Sequence, residues 1–504
     1  MADEPPEHPT SKRRNQHLPC PPEHIIRGPI QVYYSMGHTD KAIAEFSRKH
    51  YNTGEYGMSD TTVKRLRKKW GLMKTRTQRH TLESIHPYLI EIKKTYPNRG
   101  ATKLTQALRL THNVWVPREV VSEWLRQNEP DAVEARKRRK FKRHRFWSAG
   151  LNDFWTFDQH DKWGARYGLY LHLGLEPTAG ENKWLKIWWN NSNPRLIASY
   201  YFEAVRAAGA IPLVTQSDAG TENFGIANAH TTIRHFLDPT LADTLQHRWM
   251  GKLMNIKPEI SWSILNRDWK PGFEAILDQG VEHGWYDPNN ALESLVFRYL
   301  AIPWLQAELD GWREQFNMTP RRTQRNKSLP QGIPYIISRH PEKYNVHDFK
   351  IEVPMHVIDN VEAEWAPPDH PIFQLVPLLF RERIDGHLQD LGNPAISADS
   401  FWIVYLSVLG RFVSPDDGHI LDRTIQTAIS QHVISERQAI SEPIAIIPGL
   451  RQLRQGDRLV GNQLLQPPRT VEVQPVFDDE GDMVGYAEFT DEEEGLDEDE
   501  PGML

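Results

Sequence analysis

The stretch FWTFD at residues 154–158 decides the fold, because an aromatic and β-branched run of this kind is typical of a buried β-strand. The polar residues 159–161 follow it, so we expect the strand to end at Asp158. A second apolar run, IPLVTQ at residues 211–216, leads in the same way to Asp218. The sequence therefore predicts two strands that each end in a carboxylate.

A third acidic residue stands where a helix should begin. Glu259 follows Pro258, and the apolar residues after it recur at helical spacing, which predicts a position in the first helical turn. Two strand ends and one helix start can converge, although the residues are far apart in sequence. Three such carboxylates repel one another, and hard oxygen ligands of this kind suit Mg²⁺ or Mn²⁺. The pattern therefore indicates a metal site.

Other acidic residues are alternatives for the third ligand. Glu203 is expected on the exposed face of the first helix of the core, and Glu222 is close enough in sequence to Asp218 to shape its loop. Glu282 is the third alternative. The motif and its spacing favour Glu259.

Four ordered motifs resemble those of the DDE integrase and transposase superfamily, and most closely those of eukaryotic integrase-core proteins related to mobile elements. The motifs cover roughly residues 150–335, and the ordered set is more specific than any one of them. They are WTFD at 155–158, SDAGTEN at 217–223, NIKPEISW at 255–262, and WREQFN at 312–317 followed by Arg321, Arg322 and Pro330.

The resemblance implies an RNase H-like catalytic core in which Asp158, Asp218 and Glu259 are the catalytic and metal-binding residues. Members of the superfamily cut and join DNA with Mg²⁺ or Mn²⁺, and we expect two ions here. The resemblance also implies double-stranded DNA as partner and a homo-oligomer assembled on it. The chain departs from the family pattern at residues 176–180 and at Ala219, and neither change removes a ligand.

The 504 residues exceed what one core usually holds, so we expect a multidomain protein. The predicted fold class is an N-terminal all-α tandem helix-turn-helix, a central α/β RNase H-like core with a mixed sheet, and a C-terminal α+β or irregular region. The single cysteine, Cys20, excludes an internal disulfide and any zinc module built on two cysteines. No apolar run is long enough to cross a membrane and no secretory signal is evident, so an intracellular, nuclear protein is expected.

The N-terminal part is predicted to bind DNA through helices. After a Pro-rich, disordered leader (1–23), helical patterns indicate one helix-turn-helix at 24–78 and a second at 79–130. The third helix of the first unit combines an apolar face with an outward basic face, which makes it a candidate for the major groove. The basic face consists of Lys64, Arg65, Lys68 and Lys69. The alternative is a helical bundle without a DNA-binding role.

A basic linker is predicted at 131–149, between the helical arm and the core at 150–335. Self-repulsion should hold its dense positive block extended, where it can contact phosphates or act as a nuclear localisation signal. The block consists of Arg136, Lys137, Arg138, Arg139, Lys140, Lys142, Arg143 and Arg145. Residues 1–150 contain 30 Lys and Arg against 15 Asp and Glu, although the whole chain has a net charge of −6. This asymmetry favours a polyanion-binding N-terminal part.

The C-terminal part is less informative. An accessory region is predicted at 336–475, where the apolar run at 401–406 indicates an additional folded element. The tail at 476–504 is acidic and is predicted to be disordered, with 13 Asp and Glu and no Lys or Arg between Asp478 and Glu500.

Three functions compete. The leading hypothesis is a Mg²⁺-dependent DNA integrase or transposase of mobile-element origin. The second is a domesticated DNA-binding protein with an inactive core, and the third is an RNase H-type nuclease of RNA–DNA hybrids. All three carboxylates are present, which favours an active enzyme, because a core that is only a scaffold does not need a repulsive triad. The helical arm disfavours the hybrid nuclease.

Overall fold

A computed structural model describes residues 18–137, 146, 148–251, 255–321, 329–412, 423–440, 442–454, 459–460 and 463–464. The described chain divides into two compact units. The first unit comprises Met1–His86 with Thr105–Val121, and the second comprises Pro87–Leu104 with Ser122–Leu504. Residues 1–17 of the predicted leader, most of the basic block and the acidic tail lie outside the described residues, whereas residues 18–23 of the leader are described and α1 already begins at Glu23.

The N-terminal part is helical, as predicted. Its first three helices carry the apolar stripes seen in the sequence, and Ile26, Val63 and Leu66 are buried in the first unit. The helices are α1 (Glu23–Ser35), α2 (Asp40–Phe46), α3 (Asp60–Lys69), α4 (Thr75–Gln78), α5 (Leu82–Thr95), α6 (Ala101–His112), α7 (Arg118–Asn128) and α8 (Pro130–Lys137).

Side-chain caps set the starts of two of these helices. The Thr39 side chain accepts a hydrogen bond from the backbone N–H of Ala42, and Ser59 accepts one from Thr62. A cap of this kind satisfies a backbone donor that has no partner within the helix. These two polar residues therefore fix where α2 and α3 begin.

The second unit contains a five-stranded mixed sheet with the strand order β3-β2-β1-β5-β6. Strands β1, β2 and β3 form an antiparallel meander, and β5 and β6 continue the sheet parallel to β1. The strands are β1 (Phe154–His160), β2 (Tyr170–Glu176), β3 (Glu181–Trp188), β4 (Ala210–Ile211), β5 (Val214–Asp218) and β6 (His247–Met250). The mixed sheet and its flanking helices fit an RNase H-like core.

Two predictions about these strands were wrong. Strand β1 runs two residues past Asp158, because Gln159 and His160 still pair with β2. The run at 211–216 does not form one strand: Pro212, which has no backbone N–H, separates β4 from β5, and β4 pairs with a short strand, β7 (Ile351–Glu352), instead.

Helices cover the sheet, and α10 begins at Pro194 and ends before Gly209. Gly209 has a φ of 61°, the left-handed conformation in which glycine commonly ends a helix. The core helices are α9 (Gly164–Tyr167), α10 (Pro194–Ala208), α11 (Phe224–Leu237), α12 (Ile256–Asp268), α13 (Lys270–Glu282) and α14 (Ala291–Met318).

A buried ion pair joins the segment before α6 to the core. The guanidinium of Arg99 donates to Asp268 at 3.0 Å, and the indole N–H of Trp312 donates to the same carboxylate at 2.8 Å. These contacts hold the pKa of Asp268 at about 2, although burial alone raises it. Helices α12 and α14 therefore meet on one charged group.

The described C-terminal part is mainly helical. The apolar run at 401–406 begins α18, whose Phe401, Trp402 and Tyr405 are buried. The elements are α15 (Pro334–Arg339), β7 (Ile351–Glu352), α16 (Met355–Trp365), α17 (Leu378–Asp390), α18 (Phe401–Phe412), α19 (Arg423–Ile440), β8 (Leu459–Val460) and β9 (Gln463–Leu464). In the described part of the chain, no helix has both the length and the apolar character needed to cross a membrane.

Candidate active site and DNA-binding surface

Asp158 and Asp218 lie on neighbouring parallel strands, as predicted. The register pairs Thr156 of β1 with Gln216 of β5. Each aspartate is two residues further along its strand, and residues two apart in a strand share a face of the sheet. The two carboxylates are therefore on the same face and at the same level of the sheet.

Glu259 lies in the first turn of α12, also as predicted. Helix α12 packs on β1 and β2, the two strands on the Asp158 side of the sheet. Glu259 is partly buried, as are Asp158 and Asp218. The structure therefore brings Glu259, near the start of α12, to the side of the sheet that carries Asp158.

The three carboxylates affect one another electrostatically. Burial raises the pKa of Asp158 well above its usual value, and the charges of Glu259 and Asp218 raise it further. Burial and then the charge of Asp218 raise the pKa of Glu259, while Lys162 acts in the opposite direction. Burial and then Glu222 raise the pKa of Asp218 to about 6. The raised pKa values indicate that ionising all three carboxylates together is energetically unfavourable.

The donor set fits a hard divalent cation. All three side chains offer carboxylate oxygens, and Oδ1 of Asp218 is buried without a hydrogen-bond partner among the described residues. A cation would satisfy that atom and offset the repulsion. Among the residues that the structure describes, however, no three His, Cys, Asp or Glu side chains meet the geometry of a metal site. The metal-binding roles therefore stay a prediction.

The alternatives for the third ligand are placed less favourably. Glu203 is exposed on α10 and forms an ion pair with Lys186. Glu282 is exposed at the end of α13 and is 3.9 Å from Arg166. Glu222 is the alternative that lies near Asp218. Its carboxylate, however, already accepts a hydrogen bond from the side chain of Gln159 at 2.6 Å.

Asn255 and Trp262, on either side of Glu259 in the sequence, support the site. Neither was predicted to have a role. The side-chain amide of Asn255 donates to the carbonyl oxygen of Phe157 at 2.9 Å. The indole N–H of Trp262 donates to Oδ2 of Asp158 at 3.0 Å. Both belong to the NIKPEISW motif. Their fixed spacing around Glu259 is the feature of the sequence that could have identified them.

Histidines near the site serve the packing of the core. His172 accepts a hydrogen bond from the indole of Trp184 at 2.9 Å, and burial lowers its pKa to about 3. Burial and then the charge of Lys270 lower the pKa of His160 to about 3. Both imidazoles are therefore neutral at physiological pH.

The basic face predicted on α3 is present in the first unit. Lys64, Arg65, Lys68 and Lys69 are all exposed. Lys69 forms an ion pair with Glu23, and Arg67, on the opposite face, is buried against Asp40 at 2.7 Å. The helix therefore presents cations to solvent while its other face joins the core of the unit.

The structure corrects one part of the linker prediction. Arg136 and Lys137 do not belong to an extended segment, since they form the last residues of α8. The sequence that precedes them, with Ala132, Glu134 and Ala135, favours a helix. The rest of the block, Arg138 to Arg145, lies outside the described residues.

Residues 146–336 match the protein family described as Integrase core domain. No curated protein and no solved structure matches the chain. The mixed sheet with its flanking helices fits the RNase H-like core expected of such a domain.

The segment is an integrase core of the DDE integrase and transposase superfamily. Such cores act on DNA and generally use divalent metal ions. The expectation drawn from the four motifs is thereby confirmed for the family.

Replacement of Asp218 by asparagine is expected to stabilise the metal-free protein at high pH. A carboxyl with a folded pKa of about 6 binds a proton that the unfolded chain, with a pKa of about 4, has released. The stability of the wild type therefore falls as pH rises between these values, and the penalty persists above them. In EDTA, Asp218→Asn should melt on the order of 2 °C above the wild type at pH 8 and level with it at pH 4.

The exposed residue Asp369 provides the control, since Asp369→Asn should match the wild type at both pH values. A lower melting temperature for Asp218→Asn at pH 8 would contradict the electrostatic description of the site.

Proposed function

We propose that this protein is a DNA integrase or transposase derived from a mobile element, which cleaves and joins DNA strands with divalent cations. The observation that supports the proposal is the electrostatic coupling among Asp158, Asp218 and Glu259, which lie on β1, β5 and α12 of the segment that matches the Integrase core domain. These residues would hold two Mg²⁺ or Mn²⁺ ions. Such ions activate a water or a DNA 3′-hydroxyl and stabilise the leaving oxygen of a phosphodiester.

The residues of the chain supply the geometry for this reaction. The sheet fixes Asp158 and Asp218 at one level, and the start of α12 brings the third carboxylate from a separate element. Their shared negative charge favours cations and would repel a phosphate that arrives without them. A bound cation would offset this repulsion when a phosphate enters the site.

The exposed cations of α3 support a role for the first unit in binding DNA. Four basic side chains on one exposed helix face can contact phosphates without sequence preference. We further propose that the protein acts in the nucleus as a homo-oligomer on double-stranded DNA.

The second candidate is a domesticated DNA-binding protein whose integrase core is inactive. Ala219, at the position after the second aspartate, is the observation that favours it, because asparagine is common there in the family. The three retained carboxylates favour the active enzyme. Their raised pKa values show that they are costly to keep in a core that serves only as a scaffold.

A nicking assay on supercoiled plasmid, with Mg²⁺ or Mn²⁺, separates the two candidates. The wild type should nick DNA, whereas Asp158→Asn, Asp218→Asn and Glu259→Gln should each fall to the background rate, because each removes charge that the ions need. Glu203→Gln is the matched control and should retain the wild-type rate, since Glu203 is exposed and paired with Lys186. A folded wild type that binds DNA but never nicks it would favour the inactive core.

Removal of the basic face of α3 should weaken DNA binding by the full chain. Each lost phosphate contact is expected to reduce the slope of log affinity against log salt by about 0.9, because fewer counterions are released. The variant replaces Lys64, Arg65, Lys68 and Lys69 with Ala, and fluorescence anisotropy at several salt concentrations measures the slope.

The control removes the same number of exposed charges elsewhere, by replacing Lys343, Lys350, Arg381 and Arg411 with Ala. Equal salt slopes for the two variants would show that α3 has no special role and that the first unit is a helical bundle without DNA-binding function.

A further inference from the structure

Trp262 connects α12 directly to the carboxylate of Asp158. The residue is 3% exposed, and its indole N–H donates to Oδ2 of Asp158 at 3.0 Å. Its ring stacks on His160, with 5.1 Å between the ring centroids and 26° between the planes. One side chain therefore contacts two residues at the end of β1, one by a hydrogen bond and the other by stacking.

Asn255 ties the start of α12 to the same strand. Its amide donates to the carbonyl oxygen of Phe157 at 2.9 Å, and its side-chain oxygen accepts a hydrogen bond from the hydroxyl of Thr156. Asn255 is 2% exposed, so water does not compete for these bonds. Together with Trp262, it binds α12 to three consecutive residues of β1.

Glu259 lies between these two anchors. Asn255 precedes it by four residues and Trp262 follows it by three, and residues at these spacings lie on the same side of a helix. The two anchors consequently limit both the rotation and the sliding of α12 against β1. The distance between Glu259 and Asp158 therefore depends on how firmly these contacts hold α12 against β1.

We propose that Trp262 is a positioning residue of the carboxylate site, which holds Asp158 in one orientation for a divalent cation and fixes α12, with Glu259, beside it. The inference rests on the proposed metal-dependent function. Trp262 itself would bind neither the metal nor DNA. Its contribution is the geometry of the two ligands Asp158 and Glu259.

The chemistry of indole suits this role. Its N–H is a single donor that carries no charge, so it orients a carboxylate without cancelling the negative charge that attracts the cation. An arginine or lysine at the same place would compete with the metal. The rigid ring also has few rotamers to lose, and its stacking on His160 fixes the direction of the N–H.

The test compares two tryptophans that make the same kind of bond. Trp262→Phe removes the donor to Asp158, while Trp312→Phe removes a donor to the buried carboxylate of Asp268, where the distance is 2.8 Å. Trp312 is 2% exposed, so both changes remove an indole from a buried position. Isothermal titration of the full-length, metal-free protein with Mn²⁺ gives the affinities, and circular dichroism checks the fold.

The Kd for Mn²⁺ should rise about 10–100-fold in Trp262→Phe, the range found when residues that orient metal ligands are removed. Trp312→Phe should stay within about twofold of the wild type. If Trp262→Phe does not fold, Trp262→Met also lacks a donor to Asp158 and should show the same loss. Wild-type affinity in a folded Trp262 variant, or equal losses in both tryptophan variants, would overturn the proposal.

Kinetics provide a second readout. With an active wild type, Trp262→Phe should lower kcat for nicking, leave the KM for DNA unchanged and recover part of its rate at high Mn²⁺. A wild type that binds Mn²⁺ but nicks no DNA would reject the catalytic function, yet the two Kd values would still decide the role of Trp262. A wild type that binds no Mn²⁺ would reject both.

Discussion

Repulsion among three partly buried carboxylates is the constraint on which the site depends. Burial is the largest cause of the raised pKa of each carboxylate. The charges of Glu259 and Asp218 add to it at Asp158, the charge of Asp218 adds to it at Glu259, and the charge of Glu222 adds to it at Asp218. A chain free to relax would separate them. The fold prevents this, because two of the three are fixed by backbone pairing in adjacent strands and the third by a helix bound to one of those strands. The cost of charge at this site is therefore met by the stability of the sheet and its helices.

The contacts that oppose the repulsion are neutral. Asn255 and Trp262 tie α12 to β1 through amide, hydroxyl and indole groups, none of which carries a charge. The charged pair of Arg99 and Asp268 lies elsewhere in the core, although the charge of Lys162 acts on Glu259. The neutral contacts of Asn255 and Trp262 themselves take nothing from the negative potential that a site for divalent cations requires.

Much of the core was predictable from the sequence. The strand that carries Asp158, the helix between Pro194 and Gly209 and the helical position of Glu259 all follow from local patterns of apolar residues and breakers. The C-terminal end of β1 was not predictable, because Gln159 and His160 look like a boundary and are held in the strand only by pairing with β2. The roles of Asn255 and Trp262 were missed for the same reason: their partners lie about a hundred residues away.

Diffraction from crystals grown with Mn²⁺, recorded at a wavelength where manganese scatters anomalously, tests the central claim most directly. The account predicts an anomalous peak coordinated by oxygens of Asp158, Asp218 and Glu259, with the indole of Trp262 still on the Asp158 carboxylate. A peak held by Glu222 in place of Glu259, or fully occupied Mn²⁺ sites elsewhere with none between these carboxylates, would contradict it.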